Sequence, residues 1–148
     1  MSRREKVDRI VPIFIISHGT LASSIKETAK LIIEMRDDIY CLELKEEESL
    51  EDFKCRLEKS ILSLKDSNDE IIIVSDMPLA TPFNAAVMLM KKYNIFHLTG
   101  MSMQMMTFLL QKDNSYMTAE NLCRRASNGT DIISERFIER GEKQLALQ

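Results

Sequence analysis

The stretch "IVPIFIISHGTLASS", Ile10 to Ser24, decides how the rest of the chain is read. From Ile10 to Ile16 it is almost continuously apolar and β-branched, the pattern of a strand buried on both faces and therefore of a parallel sheet. His18 and Gly19 follow, and beyond them the apolar residues recur every three or four positions. Thr20 is placed to cap a helix running to about Met35, with Leu21, Ile25, Ala29, Ile32 and Ile33 as its apolar stripe. One of only two histidines in the chain thus stands where strand gives way to helix.

The same alternation continues outward. Tyr40 to Leu44 reads as a short strand. Ser49 with Asp52 marks the start of a helix carrying Leu50, Phe53, Leu57, Ile61 and Leu64 to about Lys65. A polar turn, Asp66 to Asp69, leads into a second strongly buried strand, Glu70 to Ser75. Pro78 and Pro82 bracket a loop, and Pro82 suits the first turn of a helix reaching about Tyr93. Ile95 to Thr99 predicts a fourth strand, Met101 to Gln111 a Met-rich helix, and Thr118 to Ser127 another. Asp131 to Ile133 is short enough for an edge strand, and Glu135 onward is charged and peripheral. This order predicts an α/β fold: an open, mainly parallel sheet of about four strands with helices on both faces.

Composition limits the functions open to such a fold. The 148 residues are 45% hydrophobic, enough for one buried core, so residues 1–148 read as a single domain with its core at about 10–134. A net charge of -3 with scattered basic residues argues against nucleic acid or an anionic membrane as partner, and the Arg3-Arg4 and Arg124-Arg125 pairs read as solvated faces. The charged start has no apolar core for a secretory signal, and no stretch is long enough for a membrane span, so a soluble cytoplasmic protein is expected. Three cysteines, Cys41, Cys55 and Cys123, share no paired spacing and suggest neither a disulfide framework nor zinc. The ten methionines read as flexible core filler.

Chemistry in an open parallel sheet collects at the carboxyl ends of the strands, where chain turns into helix. His18 and Asp76 both fall there, after the first and third strands. If those strands are neighbours, the Asp76 carboxylate can take a hydrogen bond from one imidazole nitrogen and leave the other with its lone pair, a nucleophile. Ser17, Gly19, Thr20 and Thr81 are small or hydroxyl-bearing, and helix starts near Thr20 and Pro82 offer N–H donors, an environment for a phosphoryl group. Equally, a lone histidine at a strand end is commonly a hydrogen-bonded structural residue, and these residues alone leave both readings open. His97, inside a strand, reads as structural. No metal ligand cluster is seen, and neither GxxxxGK[ST] nor GxGxxG occurs among four glycines.

"IISHGTLASSIKETAKLI", "IIIVSDMPLATPFNAAVML" and "HLTGMSMQMM" together resemble, in order and spacing, the enzyme IIA domain of the mannose-family sugar phosphotransferase system, from about Val11 to about Leu110. By position, the resemblance makes His18 the phosphorylated histidine and Asp76 the carboxylate that orients it. Thr81 stands for the family's loop serine, Pro82, Phe83 and Asn84 match directly, and Gly100 and Met105 match the later segment. Gly19, Thr20, Leu79, Ala80 and Thr81 would then surround the phosphoryl group. The resemblance further implies transfer from phosphocarrier HPr to His18 and on to a IIB component, which serves IIC and IID membrane components. It implies no cofactor, and a homodimer that exchanges an antiparallel edge strand.

Some positions depart from that pattern. Leu79-Ala80 replaces a glycine pair, which makes any positive φ there costly, and Pro78 removes an amide donor. Ser102 and Gln104 replace an asparagine and a proline. Two alternatives follow: a regulatory or interaction module of the same fold with weakened transfer, or the phosphotransfer subunit of dihydroxyacetone kinase. The latter has a His-Ser pair, and Gly19 with the Pro82-Phe83-Asn84 run favours the mannose type.

Overall fold

The computed structural model describes residues 10–64 and 69–128. Strand β1 (Ile13–His18) leads into helix α1 (Leu21–Ala29), β2 (Ile39–Leu44) into α2 (Leu50–Leu64), and β3 (Ile71–Ser75) into α3 (Thr81–Leu89). Then β4 (Ile95–Thr99) leads into α4 (Met103–Leu110), and a 3₁₀ turn (Lys112–Asn114) precedes α5 (Ala119–Asn128). The strands form one sheet in the order β2-β1-β3-β4, and every pair is parallel. β1 and β3, the two most apolar strands, occupy the centre.

That position explains their sequence. Ile13, Phe14, Ile15 and Ile16 are all fully buried, each worth about 1.5–3 kcal/mol of transfer from water. Successive side chains point to opposite faces, so Ile13, Ile15, Ile72 and Val74 meet α1, α4 and α5, while Phe14, Ile16, Ile71 and Ile73 meet α2 and α3. Met105 and Met106 fill the first of these layers, as a flexible side chain suits. Met77, Met88 and Met90 do not: they are exposed.

Two helices are shorter than their periodicity predicts. α1 stops at Ala29 rather than near Met35, leaving Leu31 87% and Ile32 62% exposed. The chain is drawn away because Met35 bridges Gln111, with the Arg36 amide donating to the Leu110 carbonyl and the Lys112 amide to that of Glu34. Leu21, also assigned to the stripe, is 44% exposed. α3 ends at Leu89, and the amides of Lys92 and Tyr93 fold back onto the Leu89 carbonyl. The expected edge strand Asp131 to Ile133 lies outside the described residues, as do Lys65 and most of the turn after it.

Candidate active site

β1 delivers His18 to the carboxyl edge of the sheet as its last residue, and β3 ends one residue before Asp76. Because β1 and β3 are hydrogen-bonded neighbours, two residues 58 positions apart meet. His18 Nδ1 lies 2.7 Å from Asp76 Oδ2, and the His18 backbone N–H donates to the same oxygen at 3.0 Å. The other carboxylate oxygen accepts the Met77 amide at 3.0 Å.

Asp76 is 8% exposed while the His18 side chain is 46% exposed. Burial works to raise the Asp76 pKa, but the backbone and ring hydrogen bonds from His18, with the attraction of the imidazole, outweigh it and hold the carboxyl below its ordinary value. An ionised carboxylate can only accept, so Nδ1 carries the proton and Nε2 the lone pair. The pair therefore presents a half-exposed imidazole with its tautomer fixed.

The loops beside this pair are built differently from what their residues predict. Thr20 occupies the cap position of α1, but its side chain makes no cap hydrogen bond. The fully buried Ser17 supplies it instead, its Oγ accepting the Ala22 amide at 2.8 Å. Gly19 has φ +51°, and a Cβ there would meet nothing within 4 Å, so backbone conformation rather than space asks for glycine.

In the β3–α3 loop, Leu79 keeps a positive φ of 64° although it is not glycine, and its side chain is 83% exposed. A left-handed turn is thus present where the resemblance has a glycine pair. Ala80, extended, precedes Thr81 and Pro82 in the first turn of α3, and no side chain caps that helix. Its first amides and positive dipole end thus have no acceptor supplied by a cap residue, a feature suited to an anion. Thr81 is half-buried at this end.

Further along, Ser102 caps α4 by accepting the Met105 amide at 3.1 Å, which gives a physical role to a residue that stands where the resemblance has asparagine. Among the described residues no group of three or more His, Cys, Asp or Glu side chains could hold a metal, and no helix is long and apolar enough to cross a membrane. An open groove beside α5, lined by Met117, Asn121, Arg124, Arg125 and Asn128, contains neither His18 nor Asp76.

Residue-by-residue reading placed Ser17 beside a phosphoryl group, whereas its buried hydroxyl is turned to the start of α1, and it missed a second polar cluster. Ser75 Oγ lies 2.8 Å from His97 Nε2 and 3.1 Å from Thr99 Oγ1, and the His97 ring packs against Phe83 with centroids 4.9 Å apart. Polar residues at the ends of "IIIVS" and within "IFHLT" were the available signal, legible only once β3 and β4 are known to be neighbours in this register.

Both fold and site point to a class of α/β proteins that carry a carboxylate-paired histidine at a strand end of a parallel sheet. A family model described as "PTS system fructose IIA component" matches residues 12–126, and the chain belongs to this mannose–fructose enzyme IIA family of the sugar phosphotransferase system. Among solved structures, it is similar to the phosphotransferase component EIIA from Streptococcus agalactiae, with 18% identity over 81% of this chain and 92% of that one, TM-score 0.70. The mannose/sorbose-specific IIA subunit from Enterococcus faecalis has 16% identity over 85% and 96%, TM-score 0.70. A sigma-54 interaction domain protein from Enterococcus faecalis has 16% identity over 93% and 97%, TM-score 0.69. No curated protein matches.

Proposed function

We propose that the chain is a single-domain phosphohistidine carrier that accepts a phosphoryl group from phosphocarrier HPr on His18 and passes it to a IIB component during sugar uptake. The observation that carries this reading is the 2.7 Å contact between Asp76 and Nδ1 of a half-exposed His18. In the proposed step, the Nε2 lone pair attacks phosphorus in line as the bond from phosphorus to the donor's histidine nitrogen breaks, and that nitrogen keeps the bonding pair. Positive charge builds on the His18 ring while Asp76, still ionised, stabilises it through the Nδ1–H. The second transfer reverses these roles towards IIB.

Support for the phosphoryl cradle comes from the α3 end. Thr81 offers a hydroxyl and an amide, and the Leu79–Ala80 backbone leads into a helix terminus without a side-chain cap. Gly19 and Thr20 would close the other side. As in other phosphoryl transfers, the protein's task is positioning and electrostatic stabilisation. Leu79 and Met77, exposed on the β3–α3 loop, and Leu21, exposed at the start of α1, give a docking protein an apolar footing. A homodimer with an exchanged edge strand, in the cytoplasm beside the IIC and IID components, belongs to the same reading.

Incubation with enzyme I, HPr and labelled phosphoenolpyruvate tests it: the label is expected on the wild-type chain and absent from His18→Ala, and label persisting in that variant overturns the assignment. One observation favours a second reading, a regulatory module. The solved sigma-54 interaction domain protein has the same fold, so the fold is not confined to transport components. Acid-labile, base-stable phosphate on the chain in sugar-starved cells supports the carrier, and its absence under every condition supports the module.

A further inference from the structure

The cluster of Ser75, His97 and Thr99 lies outside the transfer site, yet it touches both of that site's supports. Ser75 is fully buried and directly precedes Asp76 in the chain. Its backbone is pinned twice, by pairing with Ile16 on one side and Thr99 on the other, and its carbonyl accepts the Gly100 amide at 2.9 Å. Its hydroxyl is held by His97 Nε2 at 2.8 Å. On its other flank the His97 ring packs against Phe83, in the first turn of α3, the helix start that belongs to the proposed phosphoryl cradle. A single imidazole on the edge strand therefore braces the residue before the orienting carboxylate and the helix start beside it.

A purely apolar β4 would have served core packing. Ile95 at the buried end of the same strand face does so, and a polar group left unpaired on this surface would be destabilising. A hydrogen-bonded imidazole at this point adds directionality that an aliphatic side chain lacks. Burial also pushes the His97 pKa down, which keeps the ring neutral and able to share one hydrogen bond with Ser75 without an ion-pair partner.

We propose that His97 is a positioning residue for phosphoryl transfer: through Ser75 Oγ and the Phe83 ring it fixes Asp76 and the α3 terminus relative to His18. The effect on transfer rests on the carrier reading above, but the effect on the His18–Asp76 pair does not. Misplacement of a reacting group by a fraction of an ångström to one ångström lowers a rate by about 10- to 100-fold.

The test compares the full chain with His97→Leu and His97→Gln, using two readouts. Nitrogen and proton NMR of His18 follows the Nδ1–H held by Asp76, and labelled HPr follows the transfer rate. His97→Leu is expected to lose or shift the Nδ1–H signal and to slow transfer about tenfold, while His97→Gln, whose amide can hydrogen-bond Ser75 Oγ, keeps the signal and a rate within about twofold of wild type. Unchanged His18 signals and rate in a folded His97→Leu chain overturn the proposal. If His97→Leu does not fold, Ser75→Ala, which deletes the linking hydroxyl, decides in the same two ways. Should the wild-type chain take no phosphoryl group, the carrier reading falls and the NMR comparison still supports or overturns the positioning role.

Discussion

The β1–α1 loop and the β3–α3 loop both turn a buried central strand into a helix, and both pass through the left-handed region, at Gly19 with φ +51° and at Leu79 with φ +64°. The first uses the residue for which that conformation is free, and its helix is capped from within by a buried serine. The second holds a branched aliphatic residue there, at a cost of about 1–2 kcal/mol, and directs its side chain into water. Its helix has no side-chain cap. One loop is thus closed and satisfied while the other carries strain, an uncapped helix end and an exposed apolar side chain. Strain retained in this way collects at functional sites. In the proposed carrier, the β1–α1 side would supply the nucleophile, and the β3–α3 side the surface on which phosphoryl group and partner would land.

Asp76 joins the two loops, so its substitution should have the largest effect. Asp76→Asn keeps the size of the side chain but offers a donor where an acceptor is needed, and it frees the imidazole to adopt the wrong tautomer. Transfer from HPr to His18, measured as label per second, should fall about ten-thousandfold, by analogy with the loss of an orienting carboxylate in a catalytic triad. A loss of less than tenfold would separate the two loops and remove Asp76 from the mechanism.

Capping distinguishes the loops next. Ser17→Ala should cost about 1–2 kcal/mol in urea unfolding, because a buried amide of α1 loses its acceptor, whereas Thr20→Ala should cost less than about 0.5 kcal/mol. Equal effects of the two substitutions would restore Thr20 as the cap. The left-handed residues then allow a matched exchange. Gly19→Ala should lose about 1 kcal/mol from backbone strain alone, since no atom blocks a Cβ there. Leu79→Gly should be within about 0.5 kcal/mol of wild type or more stable, relief of strain offsetting the added chain entropy. If Leu79 is a docking contact, the same variant should raise KM for HPr severalfold with kcat little changed. A Leu79→Gly chain with unaltered KM would leave the strained loop without a partner to explain it.

Much of this arrangement was legible in the sequence because buried parallel strands announce themselves. The runs around Ile13–Ile16 and Ile71–Val74 have no alternation to misread, and they became the central pair β1 and β3. Once those strands are adjacent, His18 and Asp76 must meet at one edge. What stayed hidden depends on neighbours rather than on local pattern. Ile32 and Ile33 continue the helical spacing of α1, yet pairing of 34–36 with 110–112 ends the helix before them. Thr20 has the better capping position by spacing, yet Ser17 points its hydroxyl at the helix end. Leu79 reads as a residue for which a left-handed turn is costly, yet the loop between β3 and α3 holds it at φ +64°. The Ser75–His97 contact needs the β3–β4 register, which no single strand encodes.

The smallest expected effect lies in the pH dependence of stability, where the two sides of the sheet separate by window. Burial lowers the His97 pKa below the ordinary 6.5, so below that value the unfolded chain binds a proton that the folded chain resists. Stability should therefore be level above about pH 7 and decline as pH falls from 6.5 towards the folded value, and His97→Gln should flatten that decline. Asp76 has the opposite sense of shift relative to its charge: its pKa is held below the ordinary 3.8, so its contribution is complete above that value and is lost only as pH falls through the lower folded value. Urea unfolding midpoints measured from about pH 8 to about pH 2 should show two separate losses, the lower one shared by Asp76 with Glu48 and Glu58, whose carboxyls are held down by hydrogen bonds from Arg56 and Tyr93. Asp76→Asn should reduce the lower one and leave the upper one. A single loss near pH 4 in wild type, unaltered in His97→Gln, would mean that the imidazole beneath the β3–α3 loop is not buried as the structure has it.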